Sequence, residues 1–306
     1  MNHAQKLSAV KSLAASLNCR IEIFVPLSNH TSFKVGGRCD MLIYPNSLES
    51  LAKLHAKCKE VSLNSIILGN GTNVLFTDRG FRGVVFVLSN ETGVVTVEGD
   101  TIVAQAGASL KKLCITALDN GLTGLEFAYG IPGTVGGAVY MNAGAYGGEV
   151  KDVIVSVTAA DASGNVITFT RDELDMGYRK SIFTDSDYVI LSATFKLNDG
   201  DRTEIKDKMD DLMSRRKDKQ PLEYPSAGST FKRPEGTYAG LVIEQSGLKG
   251  YTVGGAQVSE KHANFVINKG GATATDIINL IDDVKKIVKE KTGYDLECEV
   301  KLIKDM

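Results

Sequence analysis

Two stretches of this 306-residue chain place glycine where chemistry uses bare backbone. The first, Gly69-Asn70-Gly71-Thr72-Asn73, follows the apolar run 65–68. Backbone N–H groups exposed after a strand can form a nest for an anion. The second, residues 130–148, reads GIPGTVGGAVYMNAGAYGG and holds seven glycines. So many glycines cost backbone entropy on folding, and a compact domain keeps them where main chain must lie against a ligand. A large flat cofactor with a pyrophosphate suits both stretches. An ordinary turn at the first and a flexible lid at the second are the competing readings. The first stretch fails as a dinucleotide fingerprint, because Val74 stands where the third glycine belongs and no helix pattern follows. Neither stretch continues into the GK[ST] of a P-loop. The run Arg215-Arg216-Lys217 reads either as a phosphate site or as a solvated helix face.

The elements that must position these residues mix helices with hairpins. Helical patterns cover 4–17, 48–58 with Ser47 as N-cap, 109–120 before Gly121, 204–217 before Pro221, and 277–288 before Gly293. In the last of these, Ile277, Leu280, Ile281, Val284, Ile287 and Val288 keep helical spacing. Strands are expected at 21–25, 65–68, 188–197 and 296–303. Hairpins are expected at 96–103 around Gly99-Asp100 and at 153–170 around Ser163-Gly164-Asn165. Residues 130–148 read as loop. Asp199-Gly200-Asp201 reads as a boundary. This is no regular βαβ alternation, so the fold class is α+β rather than a doubly wound sheet.

Composition narrows the function. A net charge of −2 gives no general attraction to nucleic acid or anionic lipid. The five cysteines, at 19, 39, 58, 114 and 298, form no CxxC, which points to reduced cytosolic thiols rather than disulfides or a zinc site. No metal is expected. No signal peptide or membrane span is read from the N-terminus, where 4–17 is amphipathic and punctuated by lysines.

Six motifs occur in order: Asn29-His30-Thr31-Ser32-Phe33-Lys34-Val35-Gly36-Gly37; the 69–73 stretch; Ile131-Pro132-Gly133-Thr134-Val135-Gly136-Gly137; Asn142-Ala143-Gly144-Ala145-Tyr146-Gly147; Gly177-Tyr178-Arg179-Lys180-Ser181; and Gly228-Ser229-Thr230-Phe231-Lys232. With these, the chain from about residue 29 on resembles the UDP-N-acetylenolpyruvoylglucosamine reductases of bacterial peptidoglycan precursor synthesis. The resemblance implies an FAD-binding region of the vanillyl-alcohol oxidase type in two parts, residues 1–78 and 79–200, and an α+β substrate domain at 201–306. It implies non-covalent FAD, with His30 a turn or core residue. NADPH is the expected co-substrate and UDP-N-acetylglucosamine enolpyruvate the substrate. A cytoplasmic monomer or weak oligomer is expected. Tyr188 follows Phe183 closely, which leaves little room for the tyrosine-bearing insertion of some relatives, so the shorter type is expected.

The resemblance also assigns roles. Hydride addition to an enolpyruvyl ether builds negative charge on the neighbouring carbon and its carboxylate, so the site needs a cation and a proton donor. Arg179 is the expected carboxylate partner, since a guanidinium is permanently charged and binds both oxygens. Ser229 is the expected proton donor and Glu299 the group that assists Arg179. Without the resemblance, Arg179 reads as a surface residue, Ser229 as a turn serine and Glu299 as a solvent-facing strand position. Tyr178, Lys219 and Lys232 are expected to bind substrate. Flavin contacts are expected from Gly69, Asn70, Gly71, Thr72, Asn73, Gly130, Ile131, Pro132, Gly133, Gly136, Gly137, Asn142 and Ala143, and from Arg216 near the ring. Two other readings compete: a different FAD oxidase, and a non-catalytic flavin- or nucleotide-binding module.

Overall fold

A computed structural model describes residues 1–304, which divide into two compact units. The larger comprises Met1–Ile23, Met41–Asn70 and Gly83–Arg215, and the C-terminal unit comprises Phe24–Asp40, Gly71–Arg82 and the chain from Arg216 on.

Local signals explain the helices of the larger unit. α1 (His3–Ser16) opens with a capping box between Asn2 and Gln5. α2 (Leu48–Glu60) starts at Ser47, whose hydroxyl accepts from Ser50 N–H, and buries Leu51, Leu54 and Cys58. α3 (Leu110–Asp119) starts at Ser109 and buries Leu110, Leu113, Cys114 and Ala117, one stripe at helical spacing. A short α4 (Val135–Tyr140) follows Thr134, and α5 (Arg202–Lys219) is a polar helix inside which the division between units falls.

Two main sheets, each of four or five strands, lie largely in the larger unit. One has the order Arg20–Ile23, Cys39–Tyr44, Phe81–Val87, Ser65–Leu68, with Ser65–Leu68 parallel to Val84–Val87. The other is a five-stranded antiparallel sheet in the order Val166–Thr170, Ile154–Ala160, Val189–Lys196, Thr101–Gln105, Val95–Glu98. Its two hairpins are those expected from Gly99-Asp100 and Ser163-Gly164-Asn165. Gly99 takes φ +58, and Asp161 Oδ1 accepts from both Ser163 and Asn165 N–H. One core cluster fills this unit and includes Phe86, Ile102, Val135, Phe183 and Phe195.

In the C-terminal unit, α6 (Ala239–Gln245) and α7 (Ala274–Thr292) pack with the small sheet Thr252–Val253, Ala256–Val258, Val266–Asn268. α7 carries the strongest sequence signal: Thr273 caps it, Gly293 ends it at φ +79, and Ile277, Leu280, Ile281, Val284 and Val288 are buried. Each fully buried side chain of this size contributes about 1.5–3 kcal/mol, which fixes the helix despite its polar outer face. Asp78 anchors its start, accepting from Ala274 N–H, Thr275 N–H and Thr275 Oγ–H.

The structure corrects three expectations. Residues 130–148 are not all loop, since they contain α4 and a hairpin pairing Gly144–Ala145 with Gly148–Glu149. Both elements are too short for a periodic pattern. The strand expected at 21–25 stops at Ile23, where Phe24 turns to φ +53. The terminal strand is Lys301–Ile303 only, parallel to Val74–Phe76. Leu296 and Val300 are buried as alternation requires, but Leu302 is exposed, because the chain changes partner after a single bridge between Cys298 and Phe231.

Candidate functional site

Two glycine-bearing segments of the larger unit lie side by side. Asn70 Nδ2 donates to Pro132 O at 2.9 Å, and a Cβ on Gly69 would meet Thr134 Oγ1 at 2.3 Å. Thr134 is buried and caps α4, its hydroxyl accepting from Gly137 N–H. Leu110 N–H donates to Gly133 O, and Gly136 N–H donates to Ala106 O at 2.9 Å. A Cβ on Gly136 would stand 2.9 Å from Ala106 Cβ. Gly69 and Gly136 are thus glycine because the chain packs against itself.

Gly133 and Gly137 differ. A Cβ on either would meet nothing closer than 3.6 Å, and neither has the positive φ that demands glycine. Room beside main chain that the protein does not itself fill is what a large cofactor needs. Gly130, Ile131 and Pro132 lead into this cradle, with Ile131 N–H bonded to Ala128 O. Main chain with open space beside Gly133 and Gly137, and no charged side chain in residues 130–137, fits a flavin dinucleotide.

The expected 69–73 stretch is divided: Gly69 and Asn70 belong to the larger unit, Gly71, Thr72 and Asn73 to the C-terminal unit. Gly71 takes φ +62, where a Cβ would meet His30 O at 2.0 Å. His30 closes the 3-10 turn Leu27–His30. Thr72 and Asn73 are half-buried.

Arg179 stands on a two-residue hairpin loop in the larger unit. Gly177 and Lys180 exchange N–H to O bonds of 3.0 and 3.2 Å, leaving Tyr178 and Arg179 at the tip. Arg179 has φ +54, at a turn position normally filled by Gly or Asn. A left-handed residue costs roughly 1–2 kcal/mol, so the surroundings must hold it. Its Nη2 donates to Gly144 O at 3.3 Å, and its guanidinium lies 5.1 Å from the Tyr178 ring centroid. Tyr178 is half exposed. Lys180 is engaged elsewhere: its hydrogen bond to Asp175 raises the ammonium pKa.

Asn142, expected at the flavin, is fully buried at φ +40. Its Nδ2 donates to Gly177 O at 2.9 Å and Glu149 Oε2 at 2.7 Å, and its Oδ1 accepts from Lys151 N–H at 2.9 Å. The backbone of Ala143 is likewise used within the chain, toward Ala138 and Val150. No insertion follows the Arg179 loop: Phe183 and Tyr188 pack with Phe169, the ring centroids being 5.0–6.5 Å apart. Tyr146, at φ +53 on the tip of the Gly144–Glu149 hairpin, is a half-exposed aromatic that sequence reading passed over.

In the C-terminal unit, Ser229 lies on an arch anchored at both ends. Ser226 bridges Ile267, Thr230 N–H donates to Asn264 O at 2.7 Å, and Gly228 turns between them at φ +76. Buried Asn264 bonds both backbone groups of Phe231, and Thr230 Oγ1 accepts from Val266 N–H. Glu299 belongs to the segment paired with this arch: its N–H donates to Thr230 O at 2.8 Å, and Asn73 Nδ2 donates to its carbonyl at 3.3 Å. Thr230, next to Ser229 in the chain, and Glu299, distant in sequence, are thus joined by one backbone bond. Burial pushes the thiol pKa of neighbouring Cys298 up, which disfavours the thiolate.

The cations of this unit are arranged less specifically. Arg216 is half-buried and Lys219 exposed on the last turns of α5, where Lys261 Nζ donates to Lys217 O at 2.7 Å. Lys232 pairs with Glu297. Gln220, which sequence reading missed, holds a buried side-chain oxygen with no hydrogen-bond partner.

Two family models match the chain: an FAD binding domain over residues 39–170, and the UDP-N-acetylenolpyruvoylglucosamine reductase C-terminal domain over 220–303. A UDP-N-acetylenolpyruvoylglucosamine reductase of Clostridium novyi is 55% identical over 90% of this chain and 90% of its own length. One of Caldanaerobacter subterraneus is 51% identical over 91% and 92%. The crystal structure of the reductase from Thermus caldophilus, 35% identical, superposes with a TM-score of 0.80 over 93% of this chain and 99% of its own.

Proposed function

The chain belongs to the UDP-N-acetylenolpyruvoylglucosamine reductase family and is an FAD-dependent oxidoreductase of peptidoglycan synthesis, and on that premise we propose how its residues divide the reaction. The substrate is UDP-N-acetylglucosamine enolpyruvate, the product UDP-N-acetylmuramate, and the electron donor NADPH. Bound FAD supplies hydride transfer from NADPH to the methylene carbon of the enolpyruvyl group.

Arg179 binds the substrate carboxylate, where negative charge grows as the hydride arrives. Glu299 assists Arg179 in stabilising that charge. Ser229 gives its hydroxyl proton to the carbon bearing the ether oxygen and recovers one from water, which balances hydride and proton across the former double bond. Lys219 and Lys232 hold the anionic diphosphate, and Tyr178 packs on the substrate. Arg216 favours negative charge near the flavin ring. Gly133 and Gly137, with Gly130, Ile131 and Pro132, form the bed for the cofactor.

We assign residues 1–78 and 79–200 to flavin binding and 201–306 to substrate binding. We read it as a cytoplasmic enzyme; among the described residues no helix is long and apolar enough to cross a membrane. We read it as a monomer or weak oligomer.

What supports this reading is that Thr230, the neighbour of Ser229, accepts the Glu299 N–H at 2.8 Å, so one backbone pairing carries both residues. Ser229→Ala tests it. Flavin reduction by NADPH should proceed at the wild-type rate, while anaerobic reoxidation by the sugar nucleotide slows by about 10²–10⁴-fold. Reoxidation at the wild-type rate would remove Ser229 from the mechanism.

A further inference from the structure

We propose that Asn142 is a positioning residue for Arg179 and not a flavin contact; this rests on the carboxylate role given to Arg179 above. The ground is a closed network in the larger unit. Asn142 has no exposed surface, and its amide is committed to Gly177 O, Glu149 Oε2 and Lys151 N–H at 2.9, 2.7 and 2.9 Å. Gly177 begins the loop that carries Arg179, and Glu149 pairs with Gly144 in the neighbouring hairpin. Arg179 Nη2 returns to Gly144 O, so the connections form a ring: Asn142, Gly177, Arg179, Gly144, Glu149, Asn142.

Each member answers a physical need. Arg179 holds φ +54 without being glycine, a conformation that persists only when neighbours over-determine it. The Asn142 amide supplies two donors from one rigid plane and so fixes the distance between loop and hairpin. Asn142 itself sits at φ +40, a region Asn tolerates better than most residues. With three hydrogen bonds made inside the chain and no exposed surface, it has nothing to present to a cofactor.

The test is a double-mutant cycle on the FAD-loaded enzyme with Asn142→Gly, whose backbone suits positive φ, and Arg179→Ala. Substrate affinity is read from the perturbation of the oxidised flavin spectrum, and chemistry from anaerobic reoxidation. We expect N142G to retain FAD and its rate of reduction by NADPH, and to slow reoxidation by on the order of 10–100-fold, the scale of a misplaced group. We expect it to add little in the R179A background. An N142G variant that loses FAD affinity, with losses that add to those of R179A, overturns the proposal in favour of a flavin contact. If R179A alone leaves reoxidation unchanged, it is the role of Arg179 that fails instead. Should N142G not fold, Glu149→Ala carries the test, since Glu149 is the half-exposed second anchor of the ring. Coupling of E149A with R179A sustains the proposal, and additive losses overturn it.

Discussion

Replacing Arg179 by asparagine should separate stability from activity. The arginine sits at φ +54, and Asn tolerates that region, so the change relieves about 1 kcal/mol of backbone strain. Against this, the variant loses a long hydrogen bond to Gly144 O at 3.3 Å, about 0.5–1 kcal/mol. It also loses the stacking on Tyr178 at 5.1 Å, about 0.5–1 kcal/mol at an exposed site. The terms nearly cancel, leaving a net change within about 1 kcal/mol and a Tm within roughly 4 °C of wild type. Activity should not be spared. Removing a donor aimed at developing charge costs about 10²–10³-fold. Calorimetry of the flavin-loaded protein and anaerobic stopped-flow absorbance measure the two quantities on one sample. Reduction by NADPH should be unchanged and reoxidation by the sugar nucleotide should collapse. Reoxidation within about threefold of wild type refutes the charge-stabilising role. A Tm drop well beyond that range refutes the strain argument.

Two further predictions concern the scaffold. Gly137→Ala places a methyl in open space, nearest to Thr134 Oγ1 at 3.6 Å, on a helical residue. The cofactor-free protein should hold or gain up to about 1 kcal/mol, while FAD affinity, followed by flavin fluorescence, falls. Gly69→Ala, 2.3 Å from Thr134 Oγ1, should instead lower stability and FAD affinity together. Equal behaviour of the two variants would show that Gly137 faces no ligand. Asp78→Ala should cost about 1–2 kcal/mol by stripping the start of α7. Burial raises the Asp78 pKa, but hydrogen bonds from Thr275 and Ala274 outweigh it and hold the carboxyl below its ordinary value. A depressed folded-state pKa gives stability present above the unfolded value of about 3.9 and lost as pH falls through the folded one. The difference between wild type and D78A in urea should therefore be full at pH 7 and shrink below about pH 4. A pH-independent difference contradicts the assignment.

Elements long enough for a period were legible in the sequence. α7 declared itself through Ile277, Leu280, Ile281, Val284 and Val288 with Gly293 at its end, although it begins at Ala274 after Thr273, one turn before the expected start at 277. The hairpin at Gly99-Asp100 and α2 after Ser47 were equally plain. Short elements were not: α4 spans six residues, and the Gly144–Glu149 hairpin has two-residue arms. The terminal segment alternates through Leu296, Cys298, Val300 and Leu302, but alternation cannot reveal that Cys298 bridges Phe231 while Lys301–Ile303 pairs with Val74–Phe76.

The candidate site divides in the same way. Glycine content flagged both candidate stretches, yet it could not separate Gly69 and Gly136, crowded by the chain itself, from Gly133 and Gly137, which face space. An arginine at positive φ, a serine on an arch and a glutamate beside it have no periodic signature, so their roles came from ordered motifs. The Asn142 network was hidden for another reason. Its partners lie 7, 9 and 35 residues away, at spacings that follow no helix or strand.

The central claim is that this chain passes electrons from NADPH through FAD to an enolpyruvyl sugar nucleotide. One anaerobic titration tests it. The purified protein should show flavin absorbance that bleaches with one equivalent of NADPH. The absorbance should return, without oxygen, on adding UDP-N-acetylglucosamine enolpyruvate. Absorbance that bleaches but recovers only when air is admitted would contradict the account and identify a different flavin oxidoreductase.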